Sequence, residues 1–174
     1  MIVVVMGLSG SGKSFLASIL NKDFGFEWIR SDQIRKELAG IEPNKRLKVP
    51  YGEGIYTKDW TKRVYEEMIK RAKQKEGKNI VLDATLLEDW QRELVKKNFP
   101  NALFILAQAE EEEILKRLKS RQDISDADIE IYLRQKEKFS SPHYAIPINT
   151  QKTLEELRVE LRELLQRYGY KSTP

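Results

Sequence analysis

The sequence contains no cysteine and a single histidine, His143, in 174 residues. The missing thiols exclude disulfide frameworks and thiolate metal centres. One imidazole with no nominated partners excludes a histidine-based triad, and His143, which follows Ser140-Ser141-Pro142, reads as structural. Long apolar runs are also missing: the opening Met1–Met6 run is too short for a secretory signal or a membrane span. The expectation is therefore a soluble, cytoplasmic protein without a membrane partner. No internal repeat, linker or low-complexity segment divides the chain, so one domain over residues 1–174 is expected. An excess of one charge sign is nearly absent too. Charged residues make up 33% of the chain, yet the net charge is only +4, a mixed solvated surface that suits anionic substrates without selecting nucleic acid.

What is present is the stretch Gly7-Leu8-Ser9-Gly10-Ser11-Gly12-Lys13-Ser14, which matches the phosphate-binding pattern G-x-x-x-x-G-K-[ST]. A β-branched run, Ile2 to Met6, precedes it, and Phe15, Leu16, Ile19 and Leu20 follow at helical spacing, so the motif sits on a strand-to-helix turn. Gly7, Gly10 and Gly12 permit positive φ and close backbone approach, allowing N–H groups to converge on an anion at a helix N-terminus. Lys13 adds a cation for the β- and γ-phosphates, and Ser14 offers a hydroxyl to Mg²⁺. The candidate nucleotide contacts are thus Gly7, Ser9, Gly10, Ser11, Gly12, Lys13, Ser14 and Phe15. A bare glycine turn would not need Lys followed by Ser here.

Further along, Phe26–Arg30 reads as a strand, and Ser31-Asp32 followed by Ile34 and Leu38 at helical spacing marks a helix that Asp32 and Arg35 start and Gly40 caps. Residues 41–58 form a loop whose Lys45, Arg46, Lys48, Tyr51 and Tyr56 make it a plausible substrate-facing segment. A long amphipathic helix carries Trp60, Val64, Tyr65, Met68, Ile69 and Ala72, followed by an apolar strand ending in Asp83. Leu87, Trp90 and Leu94 mark another helix, Leu103–Leu106 the next strand, and Glu110–Arg121 a helix. Ser125-x-x-Asp128 opens one more helix, Tyr144–Ile148 is a possible edge strand because of Pro147, and Thr153-x-x-Glu156 caps the last helix. Strands alternating with helices predict an α/β P-loop NTPase fold. Its five-stranded sheet is expected to be mainly parallel, with helices on both faces and a short helical lid. Ligands in such folds bind beyond the carboxyl ends of the strands, where the P-loop, Asp32, Asp83 and the segment after Ile148 all fall.

Three sets of side chains could carry chemistry there. Asp83, at the end of an apolar strand, is placed to organise Mg²⁺ and its waters, although a helix-capping Asp would look the same. Asp32 and Arg35 share a helix face, pairing a base for a hydroxyl acceptor with a cation for the phosphoryl group; the competing reading of Asp32 is an N-cap. Arg117, Arg121 and Arg134 flank one charged loop, which suggests a lid, or else a solvated face with i,i+4 partners such as Glu113 and Arg117.

These stretches, with Ser31-Asp32-x-Ile34-Arg35-Lys36, Tyr56, Val81-Leu82-Asp83-Ala84-Thr85 and Arg121 before Ser125-Asp126-Ala127-Asp128, resemble the small P-loop kinases of the zeta-toxin and polynucleotide-kinase group. Within it the chain is most similar to the ATP-binding kinase module found beside aminoglycoside-phosphotransferase-like domains. The resemblance runs over about residues 1–152. It implies ATP and Mg²⁺ as cofactors, Asp32 as general base and Arg35 as phosphate contact. Arg117 and Arg121 are implied as phosphate-binding lid arginines, and Asn149-Thr150-Gln151 as the border of the adenine. Lys13, Asp32, Arg35 and Arg121 are the catalytic candidates; Arg117 and Thr150 join the nucleotide contacts, and Ser14 and Asp83 the metal contacts. Polynucleotide kinases commonly read Asp-Asp where this chain has Ser31-Asp32, and gluconate kinases carry a longer lid, so the acceptor stays open between a small molecule and a nucleic-acid end. The expected function is transfer of the γ-phosphoryl group of ATP to a hydroxyl. A 5′-hydroxyl polynucleotide kinase and a nucleotide-binding switch or ATPase acting on a partner protein are the alternatives.

Overall fold

The β-branched opening run forms β1 (Ile2–Met6) at the centre of a five-stranded sheet, in a computed structural model that describes residues 1–42, 54–120 and 126–172. Then follow α1 (Lys13–Phe24), β2 (Glu27–Arg30), α2 (Ser31–Leu38), a short 3₁₀ turn (Gly54–Tyr56), α3 (Lys58–Lys73), β3 (Ile80–Asp83) and α4 (Asp89–Asn98). The chain continues through β4 (Leu103–Gln108), α5 (Glu111–Ser120), α6 (Asp126–Lys138), β5 (Ile146–Asn149) and α7 (Leu154–Arg167). The strand order is β2-β3-β1-β4-β5, and every pairing is parallel, so the sheet is wholly rather than mainly parallel. Pro147 lies on β5 at the sheet edge, where its missing N–H removes no ladder bond between two strands.

Both faces of the sheet are covered, which is why its strands read as continuous apolar runs. Val3 and Val5 point into one layer with Leu16, Leu20, Leu157 and Leu161 of α1 and α7. Val4 and Met6 point into the other with Val64 and Met68 of α3 and Val95 of α4. A smaller cluster of Ile114, Leu118 and Tyr132 joins α5 to α6 and takes in Leu8 of the P-loop.

The helix ends follow their local signals. Gly25 closes α1 in the left-handed region at φ 74°, its N–H bonded to the Leu20 carbonyl. Thr153 and Glu156 exchange the reciprocal bonds of a capping box at the start of α7, each 3.2 Å long. Beyond α7, Tyr170 donates to the Phe24 carbonyl (2.9 Å) and stacks on Phe26, pinning the end of α1.

Candidate active site

The Gly7–Ser14 turn joins β1 to α1 at the carboxyl edge of the sheet, and its backbone is held from behind. Thr150, just past β5, donates its hydroxyl to the Ser11 carbonyl (2.6 Å). Arg117 of α5 donates Nη1 to the Gly10 carbonyl (3.2 Å) and to Thr150 Oγ1 (2.9 Å), and Nη2 to the Thr150 carbonyl (3.2 Å). In a trans peptide C=O and N–H point opposite ways, so tying the Ser11 carbonyl outward aims the Gly12 N–H into the cradle. Gly12 has φ 93°, and a Cβ there would come within 2.7 Å of Thr150 Oγ1; at Gly10, a Cβ would meet Ile114 at 2.9 Å. Glycine at both positions therefore lets α5 and the end of β5 close on the loop.

Several loop amides are already used within the protein. The Gly7 N–H reaches the Thr85 carbonyl at 3.4 Å, the Ser11 N–H the Leu8 carbonyl at 3.1 Å, and the Ser9 N–H the Gln135 side-chain oxygen at 3.2 Å. The first-turn amides of α1, from Lys13 to Phe15, have no intrahelical acceptor and carry the positive end of the helix dipole. Together with Gly12 they present N–H groups able to hold an anion. The Phe15 ring is exposed beside it.

Asp83 sits at the heart of the site. It ends β3, lies opposite Val5 and Arg30 in the ladders, and is 2% exposed. Its Oδ2 accepts from Ser14 Oγ (3.0 Å) and from the indole N–H of Trp28 (3.0 Å), with Arg30 Nε at 3.8 Å. Lys13 Nζ lies 3.2 Å from Oδ1, which has no hydrogen-bond partner of good geometry, so the ammonium acts there through charge. Ser14 and Asp83 thus place two hard oxygen donors side by side, the donor chemistry that Mg²⁺ takes. Among the described residues no group of three or more His, Cys, Asp or Glu side chains forms a metal cage, so a cation here would draw its remaining ligands from phosphate and water.

Asp32 and Arg35 share α2 but differ in access to solvent. The N-cap of α2 is Arg30, and Asp32 is the second helical residue, with no side-chain cap bond, so the N-cap reading of Asp32 is corrected. Its carboxylate is 57% exposed and 3.6 Å from Lys36. Arg35 is 9% exposed, donates Nη1 to Thr61 Oγ1 (3.1 Å) and lies 5.0 Å over the Tyr56 ring. Burial lowers the pKa of its guanidinium, opposed by Tyr65, Tyr56 and Asp32.

Of the three lid arginines, Arg117 turns onto the back of the P-loop and also pairs with Glu113 at 3.2 Å. Arg134 is exposed and pairs with Glu130 one turn away at 3.0 Å. Arg121 lies outside the described residues, as do Ser125 and the loop residues Lys45, Arg46, Lys48 and Tyr51. Beside Arg117, a cleft of about 410 Å³ is lined by Glu113, Thr150, Gln151, Lys152 and Thr153.

Sequence reasoning gave no site role to Trp28, Arg30, Tyr65 or Arg92. Among the described residues Leu86 is the non-glycine with positive φ (49°), in the turn after β3. Its N–H donates to the Tyr65 hydroxyl (3.2 Å), while Arg92, 2% exposed, donates to the Leu86 and Leu87 carbonyls (2.8 and 2.9 Å). These bonds offset the roughly 1–2 kcal/mol that a left-handed leucine costs. No local pattern marks them, although Trp28 and Arg30 stand at alternate strand positions that would have suggested a shared face.

Among the solved structures that share the fold are three kinases. A sugar kinase from Janibacter sp. HTCC2649 is 21% identical, with a TM-score of 0.66 over 95% of this chain and 94% of its own. A gluconokinase from Sinorhizobium meliloti 1021 is 20% identical, with a TM-score of 0.62 over 97% of each chain. A shikimate kinase from Bacteroides thetaiotaomicron is 14% identical, with a TM-score of 0.70 over 95% of this chain and 98% of its own. No curated protein shows a significant sequence match. A family profile described as an AAA domain matches residues 2–142, most of the chain. The phosphate-binding turn, the parallel sheet that carries it and this match together show that the chain belongs to the AAA_33 family.

Proposed function

We propose that this protein is an ATP-dependent kinase that transfers the γ-phosphoryl group to a hydroxyl-bearing small molecule. The observation that carries the reading is the buried Asp83 carboxylate gathering Lys13 and Ser14 at the mouth of the P-loop, with the exposed Asp32 opening the neighbouring helix. The amides of Gly12 to Phe15 hold the phosphates, and Lys13 swings from Asp83 to phosphate oxygens. The cleft beside Arg117 receives the base. Ser14 and Asp83 would hold Mg²⁺, which when bound neutralises phosphate charge.

Transfer breaks the bond between the γ-phosphorus and the bridging oxygen and leaves its electron pair on ADP. The acceptor oxygen bonds to phosphorus, and its proton passes to the Asp32 carboxylate. Arg35 supplies a fixed cation on the acceptor side, and Arg121 a phosphate contact from the lid. The similar folds of proteins named as sugar, gluconate and shikimate kinases support a small hydroxylated acceptor.

Formation of ADP from Mg·ATP, with and without a panel of sugars, sugar acids, polyols and 5′-hydroxyl oligonucleotides, tests the reading. Turnover should depend on one acceptor class, vanish in Lys13→Ala, and fall on the order of 10²–10⁴-fold in Asp32→Asn with the KM for ATP nearly unchanged. Turnover indifferent to every acceptor and to Asp32→Asn points instead to an ATPase or switch, and transfer confined to oligonucleotides to a polynucleotide kinase.

A further inference from the structure

We propose that Arg30 is a further catalytic residue of this site, a cation from the carboxyl end of β2 that contacts the γ-phosphoryl group as it transfers. The inference rests on the kinase reading. Five observations carry it.

Arg30 stands directly opposite Asp83 in the β2–β3 ladder, so both side chains rise from the same face of the sheet at the edge where the P-loop ends. Its Nε is 3.8 Å from Asp83 Oδ2, too far for a hydrogen bond, and the side chain is 42% exposed. The guanidinium, half in solvent and beyond hydrogen-bond reach, is screened by water and holds the carboxylate only weakly. Asp83 is already served by Ser14, Trp28 and Lys13, so holding that carboxylate does not account for Arg30.

The guanidinium lies 4.7 Å from the centre of the Trp28 ring, whose indole N–H is itself fixed on Asp83. Stacking removes much of the freedom that a long side chain would otherwise lose when it meets a ligand. Arg30 is also the N-cap of α2, so the same turn that presents this cation presents Asp32 two residues later.

The charge balance points the same way. Among these three side chains, Lys13 and Arg30 bring two positive charges against the single carboxylate of Asp83, an excess of one positive charge. A phosphoryl group in transfer spreads negative charge over three oxygens, and a pre-placed guanidinium at that point stabilises the transition state more than bound ATP.

The test needs no identified acceptor. Binding of Mg·ADP, and of Mg·ADP with aluminium fluoride as a mimic of the transferring group, is measured for the wild type, Arg30→Gln and Arg30→Lys. Arg30→Gln should weaken the aluminium fluoride complex by about 10²-fold while changing Mg·ADP affinity less than about threefold, with Arg30→Lys between. Equal losses for both ligands would show that Arg30 only supports Asp83 and the nucleotide, and no loss in either would make it a surface arginine; each result overturns the proposal. A wild type that binds neither ligand overturns the kinase reading and this inference together. A wild type that binds both, matched by Arg30→Gln, overturns the inference alone.

Discussion

A carboxylate as buried as Asp83 needs donors and cations in place of the water it has lost. Ser14 and Lys13 at the start of α1 and Trp28 of β2 do so here. The P-loop is managed in the same way from its other side, by Thr150 and Arg117. Thr150→Val keeps the shape that fills the space beside Gly12 but leaves the buried Ser11 carbonyl without its donor, a loss of about 1–3 kcal/mol. For a chain of this size that is a fall in Tm of roughly 2–12 °C. Because the Gly12 amide is no longer aimed, Mg·ADP affinity should fall roughly tenfold, and Thr150→Ser should restore it; calorimetry and a melting scan check both. A Thr150→Val protein that binds Mg·ADP normally would show that the cradle keeps its shape without the tether.

At the level of elements, the turn between β3 and α4 shapes the floor of the site, since its Thr85 carbonyl receives the Gly7 N–H. It is held in place by α3 and α4. Burial pushes the Tyr65 hydroxyl up to about 12 from the model-peptide value of 10.0, against the lowering effect of the Leu86 N–H bond. A raised folded pKa means that the unfolded chain releases this proton first. The stability Tyr65 contributes is therefore complete below pH 10 and lost as pH rises towards 12. Tyr65→Phe should be less stable than the wild type at pH 8 by about 1–3 kcal/mol, because the Leu86 N–H loses its acceptor. The gap should narrow between pH 10 and 12, and urea unfolding at several pH values measures it. A constant gap would remove Tyr65 from the alkaline limb.

For the whole molecule, the anion cradle exists only when β1, α1, α5 and the end of β5 are assembled, so a phosphate ligand binds the folded chain alone. At a hundred times its dissociation constant, Mg·ADP should add about 2.7 kcal/mol, raising the Tm by roughly 5–10 °C, with little shift in Lys13→Ala. Differential scanning fluorimetry reads this directly, and a wild type whose Tm ignores Mg·ADP would argue against the nucleotide reading.

The sequence alone determined the features that depend on neighbours in the chain: the P-loop, the alternating strands and helices, the Thr153 cap and the carboxylate ending β3. Periodicity and turn chemistry are local, and they survive in a single chain without any partner. Tertiary structure decided the rest. Arg30 meets Asp83 only through the register of two parallel strands, which a long crossover separates in sequence. Thr150 meets Ser11 across 139 residues, and Arg117 spends its donors on Gly10 and Thr150, where its spacing had suggested a lid. Those contacts arise from how strands and helices stack around two apolar layers, and no window along the chain contains both partners.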